Sequence, residues 1–288
     1  MTSPRTLLKA WNLRARKQLG QNFLTQAAAA QKIVSRAGLA REDTVVEIGA
    51  GLGALTIPLA RQVKKVYAIE KDRRLVELLR TELRVADLSN VEILAQDFLL
   101  TDLDQLNRES GQHLVVCGNL PSNISSQILV RLIETRRVIK RAILMFQKEL
   151  AQRLTAPPGV KAYGRISVML QYCADVRALA LLEAAHFHPS PKVASQVLAI
   201  EFRTHQTYPD HNEDFLFRVI KAAFANRRKT LRNSLSAGGL GINSKMARNA
   251  LAQAGIDHGR RAETLTPAEF VDLAVRLDNL IGANDIPA

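Results

Sequence analysis

Between residues 44 and 147, short apolar runs rich in β-branched residues recur at regular spacing, with helix-like segments between them. The runs are TVVEI (44–48), KVYAI (65–69), VEILAQD (91–97), HLVVCGN (113–119) and RAILMFQ (141–147). The helical patterns are GALTIPLARQV, RRLVELLRTELRVA and SSQILVRLIETRRV. Strands that alternate with helices predict an α/β domain: a mostly parallel sheet with helices on both faces. Two later runs, ISVMLQYCADV (166–176) and VASQVLAIEF (193–202), have no helix between them. They predict an antiparallel pair at the end of the sheet.

The pattern changes near residue 205. RTHQTYPDHNEDF is polar and turn-rich, which suits a linker. Beyond it, FLFRVIKAAFANRRKTLRNSLSA places Phe215, Val219, Ala222 and Ala223 at helical spacing. SKMARNALAQAGI follows, with Gly255 as a C-cap, and then TPAEFVDLAVRLDNL, with Pro267 near its first turn. The expected organisation is a sheet domain over residues 1–204 and a small all-helical domain over 205–288.

Charge narrows the partner. Forty Lys and Arg against 27 Asp and Glu give a net charge of +13. Such a chain is drawn to polyanions, of which nucleic acid is the commonest inside cells. The two cysteines, Cys117 and Cys173, fit a reducing compartment and neither a disulfide framework nor a zinc site. No metal is expected; His186 and His188 flank Phe187 without a second ligand cluster. No apolar run has the length of a membrane span, and the basic N-terminus lacks a signal-peptide core. The expectation is a cytoplasmic monomer.

Three strand ends point to a nucleoside. VVEIGAGLGALT places Gly49, Gly51 and Gly53 in a tight turn between the first strand and first helix. Glycines there let the backbone approach a ligand closely. Glu70, 21 positions after Gly49, ends the second strand, where a carboxylate accepts from ribose hydroxyls. Asp97 ends the third, in reach of an adenine amine. NAD and S-adenosylmethionine both satisfy this set.

The fourth strand end, CGNLPSN (117–123), separates the two. Asn119 and the carbonyls of Leu120 and Pro121 would project at the carboxyl edge of the sheet, where ligands of open α/β folds bind. Proline stiffens the turn. A side-chain oxygen and a backbone carbonyl are two acceptors, which suit a primary amine such as adenine N6. That amine is a poor nucleophile, and accepting its two N–H bonds turns its lone pair toward a methyl donor. The chemistry is then positioning and electrostatics, with the leaving group supplied by the cofactor.

RKQLGQNFL (16–24), VVEIGAGLGALT, AIEKD, GNLPSNISSQIL, APPGVKAYGRISVMLQ and FHPSPKVASQVL (187–198) resemble the KsgA/RsmA family of small-subunit rRNA adenine N6-dimethyltransferases. The resemblance implies a class I, Rossmann-like methyltransferase fold and S-adenosylmethionine as cofactor. It implies cofactor contacts at Asn22, Leu24, Gly49, Glu70, Asp97 and Asn119, to which the glycine turn adds Gly51. It implies a catalytic set of Asn119, Leu120, Pro121, Ser122 and Phe187. The substrate it implies is two adjacent adenines in a hairpin near the 3′ end of small-subunit (16S) rRNA, each methylated twice during ribosome biogenesis.

Ser122 departs from the family pattern, which carries an aromatic after Asn-Leu-Pro. A flipped base needs a stacking partner to replace the lost helix stack, and such stacking is worth about 1–3 kcal/mol. Phe187 matches the second family aromatic. The expectation is retained cofactor binding with reduced turnover.

RNA contacts are expected from Arg227, Arg228, Lys229 and Arg232 on one C-terminal helix, and from Lys161 and Arg165. Tyr163 suits either RNA contact or packing, and Trp11 either stacking on RNA or packing on the sheet. Three other readings remain open at this point: a large-subunit rRNA adenine methyltransferase, a ribosome-assembly factor with weak catalysis, and an NAD-dependent oxidoreductase. The last lacks any Tyr-x-x-x-Lys or His–Asp pairing.

Overall fold

A computed structural model describes residues 2–205, 207–226 and 228–284. The described residues form two compact units, those up to 151 with 175–202 and 152–174 with those from 203 to 284.

The first unit begins with α1 (Pro4–Ala10), β1 (Phe23–Leu24) and α2 (Ala27–Arg36). It continues through β2 (Thr44–Ile48), α3 (Thr56–Ala60), β3 (Lys65–Ile69), α4 (Arg73–Val85), β4 (Val91–Leu94) and α5 (Leu103–Ser110). Then come β5 (Leu114–Asn119), α6 (Ser125–Glu134) and β6 (Ile139–Gln147), and the chain leaves the unit within α7 (Lys148–Leu154). It returns as β7 (Ala174–Leu182), β8 (Phe187–His188) and β9 (Ser195–Phe202).

Seven strands form one sheet in the order β4-β3-β2-β5-β6-β9-β7. The first five are parallel, and β9 runs antiparallel to β6. Strand order reverses between β2 and β5, so the topological switch point lies where the Gly49 turn and Asn119 leave the sheet. Side chains alternate across the pleat. Val45, Val66, Ala68, Val115, Cys117, Ile143, Met145, Val197 and Ala199 therefore share one core with Ala30, Ile33 and Val34 of α2 and Leu59 of α3.

α4 starts where Asp72 accepts from Arg74 N at 3.2 Å, and its apolar stripe Leu75, Leu78, Leu79 and Leu83 is buried. Leu75 and Leu78 pack with Leu7 and Leu8 of α1, Phe23 and Leu52. That cluster ties the N-terminal segment to the glycine turn.

The second unit holds α8 (Arg165–Cys173), α9 (Glu213–Ala223), α10 (Leu231–Ala237), α11 (Ser244–Gln253) and α12 (Pro267–Asn284). Tyr163, Phe224 and Phe270 form its aromatic centre, with ring centroids 6.5 and 6.0 Å apart. α11 ends at a left-handed Gly255 (φ 66°), as its sequence predicts.

Two elements differ from expectation. Residues 165–173 are helix, and only Ala174 onward is strand. A short apolar run buried on most sides looks the same as helix or strand by periodicity. Tertiary bonds decide it here: Ser167 Oγ donates to Arg153 O (2.6 Å), and the Gln171 amide donates to Leu154 O and Ala156 O. This helix and the chain from 152 lie in the helical unit, so the compact units divide differently from the boundary expected at 204/205. The cation-rich stretch is likewise not one helix. α9 stops at Ala223 and α10 starts at Leu231, because Phe224 turns into the aromatic centre and Lys229 N closes a turn on Asn226 O (3.0 Å).

Candidate active site

A cavity of about 220 Å³ opens at the carboxyl ends of the parallel strands. The glycine turn forms one wall. Gly49, Gly51 and Gly53 all have left-handed φ, at 70°, 56° and 82°. Side chains at two of them would also be crowded: a Cβ at Gly53 would lie 2.9 Å from Leu79 Cδ1, which would have to move aside, and one at Gly51 3.2 Å from the Phe23 ring. Gly49 N and Ala50 N both donate to Ile69 O, which folds the turn back onto β3.

Glu70 follows β3 and is buried. One of its oxygens accepts from Gly51 N and the other from Asp72 N, both at 2.8 Å. Burial pushes its carboxyl upward, and these two hydrogen bonds partly offset that. Each oxygen keeps a further acceptor site for a ribose hydroxyl. Asp97 lies beyond β4, with one oxygen 2.8 Å from Lys71 Nζ and the other accepting from Leu99 N at 3.0 Å. Burial pushes its carboxyl up, but the Lys71 ammonium and the Leu99 bond hold it below the usual range.

Residues 17–24 form a strap over the other side. Gly20 is left-handed (φ 62°), and a Cβ on it would lie 2.9 Å from Pro121 Cβ. Asn119 Nδ2 donates to Asn22 O at 2.8 Å, and Asn22 Nδ2 donates to Gly20 O at 3.1 Å. Asn123 Nδ2 reaches Gln18 O at 3.3 Å. The far end of the strap is β1, which pairs antiparallel with β8, placing Leu24 opposite Phe187. The sequence motifs RKQLGQNFL, GNLPSN and FHPSP thus meet at one edge.

Asn119 is the hinge of this chemistry. Its amide nitrogen is committed to Asn22 O, so Oδ1 is its acceptor toward a ligand. Leu120 N is tied to Met145 O at 3.1 Å and fixes the turn on β6. Beside it, a smaller hollow of about 20 Å³ is lined by Asn22, Asn119, Leu120, Ser122, Phe146 and Phe187, among others. Phe187 is buried in that wall, whereas Ser122 is exposed at the mouth.

The predicted residues Asn22, Leu24, Gly49, Gly51, Glu70, Asp97, Asn119 and Pro121 all line the larger cavity, and Leu120, Ser122 and Phe187 line the hollow beside it. Sequence reasoning left Lys71, Asp72 and Glu47 without roles. Asp72 accepts from Gln21 Nε2 and from Arg74, which holds its carboxyl down at about 2 and links the strap to α4. Its signal was the acid in AIEKD. Glu47 had a plainer signal, a charged residue inside an apolar strand.

In the second unit Tyr163 is fully buried and donates to Leu265 O at 3.0 Å, so it packs rather than facing solvent. Lys161, Arg165, Arg228 and Lys229 are exposed and Arg232 half-buried. Arg227 lies outside the described residues. No group of three or more His, Cys, Asp or Glu among the described residues is placed to hold a metal.

A glycine turn, two strand-end acids and an Asn-Leu-Pro turn at the switch point define a class I methyltransferase with an S-adenosylmethionine cavity. The acceptors and close-approach glycines there fit the cofactor's adenosine. Comparison with known proteins sharpens this. The family model described as ribosomal RNA adenine dimethylase matches residues 12–279, and the chain belongs to that family. It is 49% identical over 286 residues to the ribosomal RNA small subunit methyltransferase A of Desulforapulum autotrophicum, covering 99% of this chain and 100% of the relative. The protein of the same name from Geobacter sulfurreducens is 44% identical, covering 91% and 94%. Among solved structures, a dimethyladenosine transferase from Plasmodium falciparum shares the fold, with TM-score 0.76, 24% identity and coverage of 89% and 98%. The 23S rRNA methyltransferase ErmE also shares it, with TM-score 0.68, 24% identity and coverage of 89% and 100%.

Proposed function

We propose that this protein dimethylates N6 of two adjacent adenines in a hairpin near the 3′ end of small-subunit rRNA, acting on the small ribosomal subunit as it matures. The observation that carries the reading is the fixed orientation of Asn119. With Nδ2 held by Asn22 O, Oδ1 is the side-chain atom left to accept from a ligand at the edge shared by the cavity and the Phe187 hollow. Small-subunit relatives 37–49% identical favour this substrate over large-subunit rRNA. Likeness to ErmE is a likeness of fold.

When bound, S-adenosylmethionine supplies an electrophilic methyl group with a neutral thioether as leaving group. Glu70 and Asp97 hold its ribose and adenine. Asn119 Oδ1 and the carbonyl of Leu120 or Pro121 accept from the target amine and orient its lone pair. The amine gains the methyl and loses a proton to solvent, so no side chain is needed as base. The strap excludes water from the site. Phe187 stacks against the target base, and Ser122 leaves its other face without an aromatic.

In the second unit, Lys161, Arg165, Arg228, Lys229 and Arg232 contact RNA phosphates. A cytoplasmic monomer fits this role; among the described residues no helix is long and apolar enough to cross a membrane. The test is methyl incorporation from labelled cofactor into unmethylated small subunits, digested to nucleosides, beside Ser122→Tyr. Dimethyladenosine from both proteins is expected. The tyrosine variant should turn over about fivefold or more faster, as one restored stacking contact implies, with unchanged cofactor affinity. Absence of methylated adenosine from both would refute the reading. Product only from the tyrosine variant would favour an assembly factor.

A further inference from the structure

Glu47, Glu70, Lys71 and Asp97 are the ionisable side chains lining the cofactor cavity. Glu70 and Asp97 are engaged at both oxygens by backbone N–H groups or Lys71. Glu47 is not. It is 2% exposed, and its Oε2 has no hydrogen-bond partner among the described residues. The Thr56 hydroxyl of α3 approaches it without completing a well-formed hydrogen bond, and this contact offsets the effect of burial only in part. An isolated carboxylate in such a place is costly, and the group prefers to stay protonated. Burial, helped by the neighbouring Glu70 charge, pushes its carboxyl up to about 7.

Its position gives it a partner. Glu47 pairs in register with Cys117 on β5, so it shares a sheet face with Asn119 two residues on. Glu70 and Asp97 lie beyond β2 from Asn119, at the ends of β3 and β4. Glu47, on β2, lies between those acids and Asn119, so a cofactor whose adenosine is held by the acids and whose methyl meets Asn119 would pass its cationic end over Glu47. Cys117 faces Glu47 from β5 and stays a neutral thiol, its ionisation opposed by burial. Glu70 faces it from β3, with Asp72 beyond. Asp43 and Arg141 act on Cys117 from farther off.

We propose that Glu47 is the charge-discriminating group of this cavity, releasing its proton to solvent as the sulfonium cofactor binds and so favouring the cationic methyl donor over the neutral thioether product. The proton leaves a carboxyl group to give a carboxylate opposite the sulfonium. After transfer the sulfur is uncharged, the carboxylate again lies buried without a counter-charge, and it takes a proton back. Product binding weakens at that moment, which aids release. This rests on S-adenosylmethionine being the cofactor.

The test is calorimetric binding of S-adenosylmethionine and S-adenosylhomocysteine to the full chain and to Glu47→Gln between pH 5.5 and 7.0. That window lies below the ordinary titration of an α-amino group. In the wild type, affinity for the cationic ligand should rise about tenfold across it, and affinity for the thioether less than about threefold. Glu47→Gln should flatten the rise to under about twofold and narrow the preference for the cation, leaving any slope due to Glu70 behind. Should the variant fail to fold, wild-type enthalpies in two buffers of different ionisation heat count protons: about half a proton or more released with the cation near pH 6.5, and near none with the thioether. Equal slopes for the two ligands, or a slope unchanged in Glu47→Gln, would overturn the proposal. Binding of neither ligand at any pH would overturn the cofactor assignment and the proposal with it.

Discussion

Gly20→Ala should uncouple cofactor binding from folding. Gly20 sits at a left-handed φ of 62°, where an added Cβ costs about 1–2 kcal/mol. That Cβ would also lie 2.9 Å from Pro121 Cβ, 3.2 Å from Pro121 Cα and 3.2 Å from Asn123 Oδ1. A proline ring on a rigid turn yields little, and overpacking of this kind costs about 1–3 kcal/mol. The sum, about 2–5 kcal/mol, falls on the strap and not on the sheet. Near Gly20 the strap's ties are few, Asn119 to Asn22 O, Asn123 to Gln18 O and Gln21 to Asp72, while Phe23 and Leu24 anchor its far end through β8 and the core. Swinging the strap away is the cheapest relief. If bound cofactor needs the strap closed, affinity falls by the fraction closed, about thirtyfold or more for 2 kcal/mol. Titration calorimetry with S-adenosylmethionine reads this, and thermal melting without ligand reads the core. Gly111→Ala is the control, left-handed at φ 70° but facing open space. The expected result is a large affinity loss in Gly20→Ala with a melting temperature within about 3 °C of the control. Unchanged affinity, or a melting drop well beyond the control, would refute the reasoning.

Glu47→Gln should stabilise the unliganded protein at alkaline pH. The carboxyl is raised from 4.5 to about 7 in the folded chain, so the folded state holds more protons than the unfolded one across that window. Stability therefore falls as pH rises from about 4.5 to 7, by up to about 3 kcal/mol, and is flat above. Urea unfolding of both proteins should show no difference at pH 4 and the full difference at pH 8; an equal gap at both would count against it. Arg228→Ala with Lys229→Ala should weaken RNA binding and reduce the salt slope by about 1–2; an unaltered slope would remove these residues from the interface. Tyr163→Phe, which leaves Leu265 O without its buried donor, should cost about 1–3 kcal/mol in stability while RNA affinity holds. Lost affinity in a folded variant would return Tyr163 to the RNA surface.

Much of the site was legible because it is built at strand ends. Where a parallel strand stops, the next residues must face the carboxyl edge, so GAGLG, Glu70, Asp97 and Asn119 could be placed by counting along the chain. β2 and β3 appear with the bounds their β-branched runs predict. Such local patterns need no knowledge of the rest of the molecule.

Other features depend on contacts between residues far apart in sequence. The segment 165–173 is apolar enough for either state, and bonds to Arg153, Leu154 and Ala156 make it helix. The aromatic centre of Tyr163, Phe224 and Phe270 breaks the cation-rich stretch in two and takes Tyr163 out of solvent. The strap over Asn119 rests on a glycine that its left-handed backbone and the closeness of Pro121 and Asn123 make necessary. Glu47 acquires its perturbed carboxyl from what surrounds it. Sequence alone thus determined the sheet, the ligand edge and the acids that face it, because those follow from local periodicity and strand polarity. Tertiary structure decided which hydrogen bond Asn119 makes and which carboxyl is buried with one oxygen unpaired, because hydrogen bonding and desolvation are set by neighbours that the chain brings together only on folding.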